Sequence, residues 1–191
     1  MAHLQAVHTM LQPQQNNYSQ LTTYYDEHNQ VAWGYMNAAP RPCFTGVLLR
    51  EIVDWFGSIS KRLDDPECAD VNYAVVASAH PGIYNLGGDL NLFRQLIEAR
   101  DREALYDYAE ACIRPLSLNA LHLGHPNLKT ITLVQGDALG GGFECALSGN
   151  VLIAERGSKM GFPEILFNLF PGMGAMTLLG RRIGYSMAEK V

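Results

Sequence analysis

No apolar run in this chain reaches the roughly 20 residues a helix needs to cross a bilayer, so no membrane span or membrane partner is expected. The N-terminus lacks the basic-then-apolar order of a secretory signal. Cysteine is scarce: Cys43, Cys68, Cys112 and Cys145 form no CxxC pair and no disulfide framework, which predicts free thiols in a reducing cytoplasm. Basic residues are outnumbered by acidic ones, 14 to 19, and the net charge of −5 argues against a nucleic-acid surface. The six histidines show no metal-ligand spacing; His122 and His125, before Pro126, read as solvated or capping. There is no GxSxG nucleophile elbow, and Ser148 reads as structural. GxxxxGK[ST] is missing too, and Gly172-Met173-Gly174 lacks the third glycine of a dinucleotide turn. No metal and no cofactor are expected, and no internal repeat is found.

What is present is 191 residues with 48% hydrophobic side chains, enough for one domain with a real core. Residues 1 to 18, rich in Gln and Asn, are expected to be a mobile extension, and 19 to 191 a single domain. Leu21 to Tyr25 and Val31 to Met36 read as a hairpin around Asp26-Glu27-His28-Asn29. Leu48, Ile52, Trp55, Phe56, Ile59 and Leu63 repeat at helical spacing from Gly46, with Thr45 as N-cap and Asp64-Asp65-Pro66 as the stop; Trp55 and Phe56 belong to the core. Tyr73 to Ser78 reads as a covered strand, and Asp89 as the cap of a helix running through Arg94 or beyond. Leu105 to Ala120 predicts a long helix kinked at Pro115. Strands are expected at Thr130–Val134, Val151–Ala154 and Lys159–Gly161, a helix around Met176–Ile183, and a new one after Ser186. The alternation implies an α/β fold with right-handed crossovers.

Three turns carry the chemistry. Gly136-Asp137-Ala138-Leu139-Gly140-Gly141-Gly142-Phe143-Glu144 follows an apolar strand and opens a helix. A helix start leaves free backbone N–H groups, and the dipole there favours a negative oxygen. Glu144 lies one turn inside, facing the same space, and a carboxylate beside an oxyanion site is what proton transfer next to a carbonyl requires. Met160-Gly161-Phe162-Pro163-Glu164 places a second carboxylate after a short strand. Asn85-Leu86-Gly87-Gly88-Asp89-Leu90 is a second glycine turn after a strand. Burial beside Phe143 and Phe162 is expected to raise a carboxyl pKa. Cys145 reads as a small core residue rather than a nucleophile.

These segments resemble the signature turns of the crotonase (enoyl-CoA hydratase/isomerase) superfamily over about residues 20 to 191. The resemblance is closer to its diffusible signal factor (DSF) synthases in three stretches: Tyr84 to Phe93, Val134 to Glu144 and Met160 to Gly174. It implies a spiral of ββα units, assembled as a homotrimer or hexamer. It implies a thioester carbonyl held between the N–H groups of Gly88 and Gly141, with Glu144 and Glu164 as the catalytic pair. Leu86, Gly87, Asp89, Leu90, Leu139, Gly140 and Pro163 would surround the substrate. It further implies dehydration of a 3-hydroxyacyl chain on acyl carrier protein to the cis-2-enoyl thioester, then hydrolysis to a free fatty-acid quorum-sensing signal. A sensor kinase is an implied partner. By analogy with hydratases, Glu164 would be the base at C2 and Glu144 the acid on the hydroxyl.

Two features depart from that pattern. The chain stops at Val191, short of the C-terminal helices that cover the acyl pocket in family members, so a fragment or a missing lid is expected. No basic cluster for a CoA phosphate stands near the first glycine turn, which favours a carrier-protein substrate over CoA. Two other readings stand beside the signal synthase: an enoyl-CoA hydratase of fatty-acid metabolism, and a non-catalytic binding module on the same fold.

Overall fold

The computed structural model describes residues 18–68 and 70–190. The expected N-terminal extension falls outside these residues except for Tyr18, whose hydroxyl donates to Asp54 Oδ2 at 2.6 Å.

The hairpin β1 (Leu21–Asp26) and β2 (Val31–Met36) forms as its alternation predicts, antiparallel from Leu21 opposite Met36 to Asp26 opposite Val31. Helix α1 spans Gly46–Asp64; the Thr45 side chain accepts from Leu48 N–H and caps it. Its apolar stripe, Leu48, Leu49, Ile52, Trp55, Phe56 and Ile59, is buried, each side chain contributing about 1.5–3 kcal/mol. Strand β3 (Tyr73–Ser78) runs parallel to β2. After it comes a short strand the sequence pattern did not announce, β4 (Ile83–Asn85). Helix α2 (Leu90–Glu98) starts at Asp89, which accepts from Asn91 and Leu92 N–H. Helix α3 (Arg102–Ala120) contains Pro115, which does not end it.

Strand β5 (Lys129–Val134) pairs with β3, and β7 (Val151–Ala154) with β5, both parallel. Between β5 and the glycine triplet lies a second unannounced strand, β6 (Asp137–Leu139), so the expected direct passage from strand to glycine turn is interrupted. Helix α4 (Gly141–Ser148), β8 (Met160–Gly161), a 3-10 turn over Pro163–Phe167, α5 (Ala175–Ile183) and α6 (Tyr185–Ala188) complete the described elements.

The strands form a five-stranded sheet in the order β1-β2-β3-β5-β7 and a three-stranded sheet in the order β4-β6-β8. Each parallel strand of the large sheet's β3 and β5 is thus followed by a short strand of the small sheet and then a helix. β4, β6 and β8 are parallel, so their C-terminal ends point the same way. Among the described residues no helix is long and apolar enough to cross a membrane. The four cysteines are free, and Cys145 is buried in the core.

Candidate active site

Each chemically suggestive turn is the exit from a strand of the small sheet. β4 leads into Leu86-Gly87-Gly88, β6 into Gly140-Gly141, and β8 into Phe162-Pro163-Glu164. Ligands in parallel α/β sheets gather at the carboxyl ends of strands, and here that rule brings three turns to one cavity of about 300 Å³.

The second turn is held tight by its glycines. Gly140 sits at φ 56°, ψ −128°, a conformation reserved for a residue without Cβ. A Cβ there would also come within 2.6 Å of Glu164 Oε1. At Gly142 a Cβ would lie 2.0 Å from the Asn85 carbonyl oxygen, so α4 can rest on β4 only as glycine.

Glu144, in the first turn of α4, is 1% exposed. Its Oε1 accepts from Met173 N–H at 2.7 Å and Ala175 N–H at 2.9 Å. Burial pushes its carboxyl up to about 7, with the Glu164 charge adding to the rise and the two N–H groups opposing it. Glu164 is raised as well, by burial, and its Oε2 is buried without a hydrogen-bond partner. The Phe143 and Phe162 rings pack together at 4.9 Å between centroids, an apolar patch formed by the neighbours of both carboxylates. Two carboxyl groups with raised pKa values in one cavity suit proton transfer near neutral pH.

The amides of the first turn are almost all engaged. Leu86 N–H donates to Pro42 O, Gly87 N–H to Asn85 Oδ1, and Asp89 N–H to the Tyr108 hydroxyl. Gly88 N–H, at the cavity wall, has no acceptor among the described residues, and neither has Gly141 N–H at the start of α4. Gly141 is also close to the first turn: its Cβ position lies 3.6 Å from Gly88 N. Two amide donors without acceptors, beside two carboxyl groups, can grip a carbonyl oxygen that gains negative charge.

Of the residues singled out in the sequence, Leu86, Gly88, Leu90, Gly140, Gly141, Glu144, Pro163 and Glu164 line this cavity. Gly87, Asp89 and Leu139 do not. Gly87 lies behind the wall, its carbonyl accepting from Phe44 N–H at 2.8 Å. Asp89 caps α2 and pairs with Arg41 at 2.9 Å. Leu139 sits in β6, paired with Gly161 of β8. Sequence reasoning missed Phe93, Ala109 and Cys112 on one wall and the Phe167-to-Met173 stretch on another. Ala109 and Cys112 lie inside the predicted helix from Leu105 to Ala120, whose spacing says nothing of a ligand wall. Gly172-Met173-Gly174, weighed only as a dinucleotide turn, carries no side-chain signal for the Met173 and Ala175 amides that hold Glu144. Among the described residues no group of three His, Cys, Asp or Glu is placed to hold a metal ion.

The family model of enoyl-CoA hydratase/isomerase matches residues 64–191. A probable enoyl-CoA hydratase of Mycobacterium bovis, echA8, is 49% identical over 148 residues, covering 78% of this chain and 52% of the relative. The chain thus spans about half the length of that relative. An enoyl-CoA hydratase of Geobacillus kaustophilus HTA426 superposes with a TM-score of 0.75 over 95% of this chain and 62% of its own, a likeness of fold at 23% identity. DspI of Pseudomonas aeruginosa superposes with a TM-score of 0.72 at 26% identity, over 93% of this chain and 66% of that one.

Proposed function

The chain belongs to the enoyl-CoA hydratase/isomerase family, and on that premise we propose that it removes or adds water across C2 and C3 of an acyl thioester. The observation that carries this reading is the meeting of Glu144, Glu164 and the two partnerless amides of Gly88 and Gly141 around one cavity. A proton on C2 of a thioester leaves only if the enolate oxygen is stabilised. Two aimed N–H donors supply that, and losing one such donor costs on the order of 10²–10³ in rate. Glu164 takes the C2 proton. Glu144, with a carboxyl pKa near 7, is protonated in a substantial fraction of molecules at neutral pH and gives that proton to the departing C3 hydroxyl. Its Oε1 is occupied by the Met173 and Ala175 amides, which leaves Oε2 to carry that proton.

The substrate we assign is a 3-hydroxyacyl chain on acyl carrier protein, dehydrated to the cis-2-enoyl thioester and released by hydrolysis as a free fatty acid, as in the DSF synthases. Support comes from the likeness of Tyr84–Phe93, Val134–Glu144 and Met160–Gly174 to those enzymes and from the structural likeness to DspI. A second reading, hydration of an enoyl-CoA, is favoured by the 49% identity to the mycobacterial relative. Incubation with a 3-hydroxydecanoyl carrier protein, followed by mass spectrometry, separates the two. Free cis-2-decenoic acid is the expected product. Rapid hydration of crotonyl-CoA with no free acid from the carrier substrate would replace the first reading by the second. Full activity of a Glu144→Gln, Glu164→Gln double variant would remove the roles given to both carboxyl groups, and no turnover of either substrate by the wild-type chain would leave a non-catalytic binding module.

A further inference from the structure

We infer that the Tyr108 hydroxyl is a positioning residue for the carbonyl site, locking the first glycine turn so that the Gly88 amide faces the cavity. This rests on reading Gly88 as a donor to the substrate carbonyl. Tyr108 comes from α3, far from the turn in sequence, and is buried. Its hydroxyl donates to Phe44 O at 2.5 Å and accepts from Asp89 N–H at 2.8 Å. Burial holds the phenol far above its ordinary pKa, so the group stays a hydroxyl and can do both at once. Phe44 is itself the other clamp: its N–H donates to Gly87 O at 2.8 Å. The Gly87 carbonyl and the Gly88 N–H belong to one planar peptide, so holding one fixes the direction of the other. Tyr108 therefore closes a ring of hydrogen bonds, from Asp89 N–H through its hydroxyl to Phe44 O, and from Phe44 N–H to Gly87 O. Gly88 N–H is the one donor between Leu86 and Asp89 that the ring leaves unspent. The Tyr108 ring also meets Phe93 edge-on at 5.3 Å, and Phe93 Cε2 would lie 2.7 Å from a Cβ at Gly88. The same side chain thus backs the turn by packing and holds it by hydrogen bonding.

Replacing the hydroxyl leaves the packing and opens the ring. Tyr108→Phe is expected to lower kcat by roughly 10- to 100-fold, short of the loss that removing an oxyanion donor causes, with KM changed by less than about 3-fold. The readout that packing alone does not move is the carbonyl itself. The probe is a ketone analogue of decanoyl-pantetheine, with a methylene in place of the thioester sulfur and an isotopic label at the carbonyl carbon. It can be neither hydrated nor hydrolysed. On the full wild-type chain its carbonyl stretch should move to lower frequency on binding. In Tyr108→Phe the probe should still bind, with at least half of that movement lost. An undiminished movement in the variant overturns the inference. No movement already in wild type overturns the carbonyl-site reading instead, and this inference with it. Should Tyr108→Phe not fold, para-aminophenylalanine at position 108 keeps the donor toward Phe44 O and weakens the acceptor toward Asp89 N–H. It is read by the same carbonyl movement with the same two outcomes.

Discussion

The two carboxyl groups of the cavity stand in unlike surroundings. Glu144 sits in α4, a helix buried along its whole length, with one oxygen fixed by two backbone amides. Glu164 sits in a 3-10 turn with no buried residue, where Ile165 and Leu166 are 76% and 78% exposed and Phe170 beyond them 80%. One half of the site is therefore built by the core, and the other is carried on a segment whose apolar side chains face outward in the single chain. The contrast teaches that two carboxyl groups proposed to act together need not be matched in burial: the core encloses one, and a largely exposed turn carries the other.

The strongest test of the comparison is chemical. Glu144→Gln and Glu164→Gln should each lower the rate of water elimination by roughly 10²–10⁴, measured as kcat on a 3-hydroxyacyl thioester. A loss at only one position would mean that one of these settings does no proton transfer. Next comes the rigid half itself. Gly142→Ala drives a Cβ against the Asn85 carbonyl at 2.0 Å and should cost about 1–3 kcal/mol or more, read from the urea midpoint.

The pH profile gives a finer distinction. The fold raises the Glu144 carboxyl from 4.5 to about 7, so it favours the protonated form. The stability this gives is complete below 4.5 and is lost as pH climbs through 7, relative to a Glu144→Gln chain, which lacks that dependence. Elimination, which needs the acid form, should decline above about pH 7, while water addition in the reverse direction should rise over the same range. The smallest effect belongs to the outward-facing half: Leu166→Ser should change stability by less than about 0.5 kcal/mol. A larger loss in solution would show that this surface is covered there.

Much of this was legible from residue order. Helical spacing from Gly46 and the Thr45 cap located α1, and the alternation of Leu21 to Met36 located the hairpin. Strands β4 and β6 were not legible, because three residues are too few for a period and both hold polar residues, Asn85 and Asp137. The long helix was legible as well: α3 runs through Pro115 to Ala120, with the proline buried. At the site, glycine turns and glutamates announce themselves through side chains or their lack. The donors that hold Glu144 do not, since a backbone amide belongs to every residue type except proline. Asp89 was read both as a helix cap and, through the resemblance, as a substrate contact; it caps α2 and does not line the cavity.

The small sheet has a consequence for how such a chain can change over evolutionary time. Gly88 stands three residues past the end of β4, Gly141 two past β6 and Glu164 three past β8, all three strands lying side by side. A strand advances about 3.3 Å per residue, so one residue gained or lost between strand and group would shift that group by the length of a hydrogen bond. Loops that carry the chain from one layer to the next, such as Ala79–Gly82 or Glu155–Ser158, bear no such ruler. Insertions should accumulate there, and the three short spacers should keep their length while their neighbours drift.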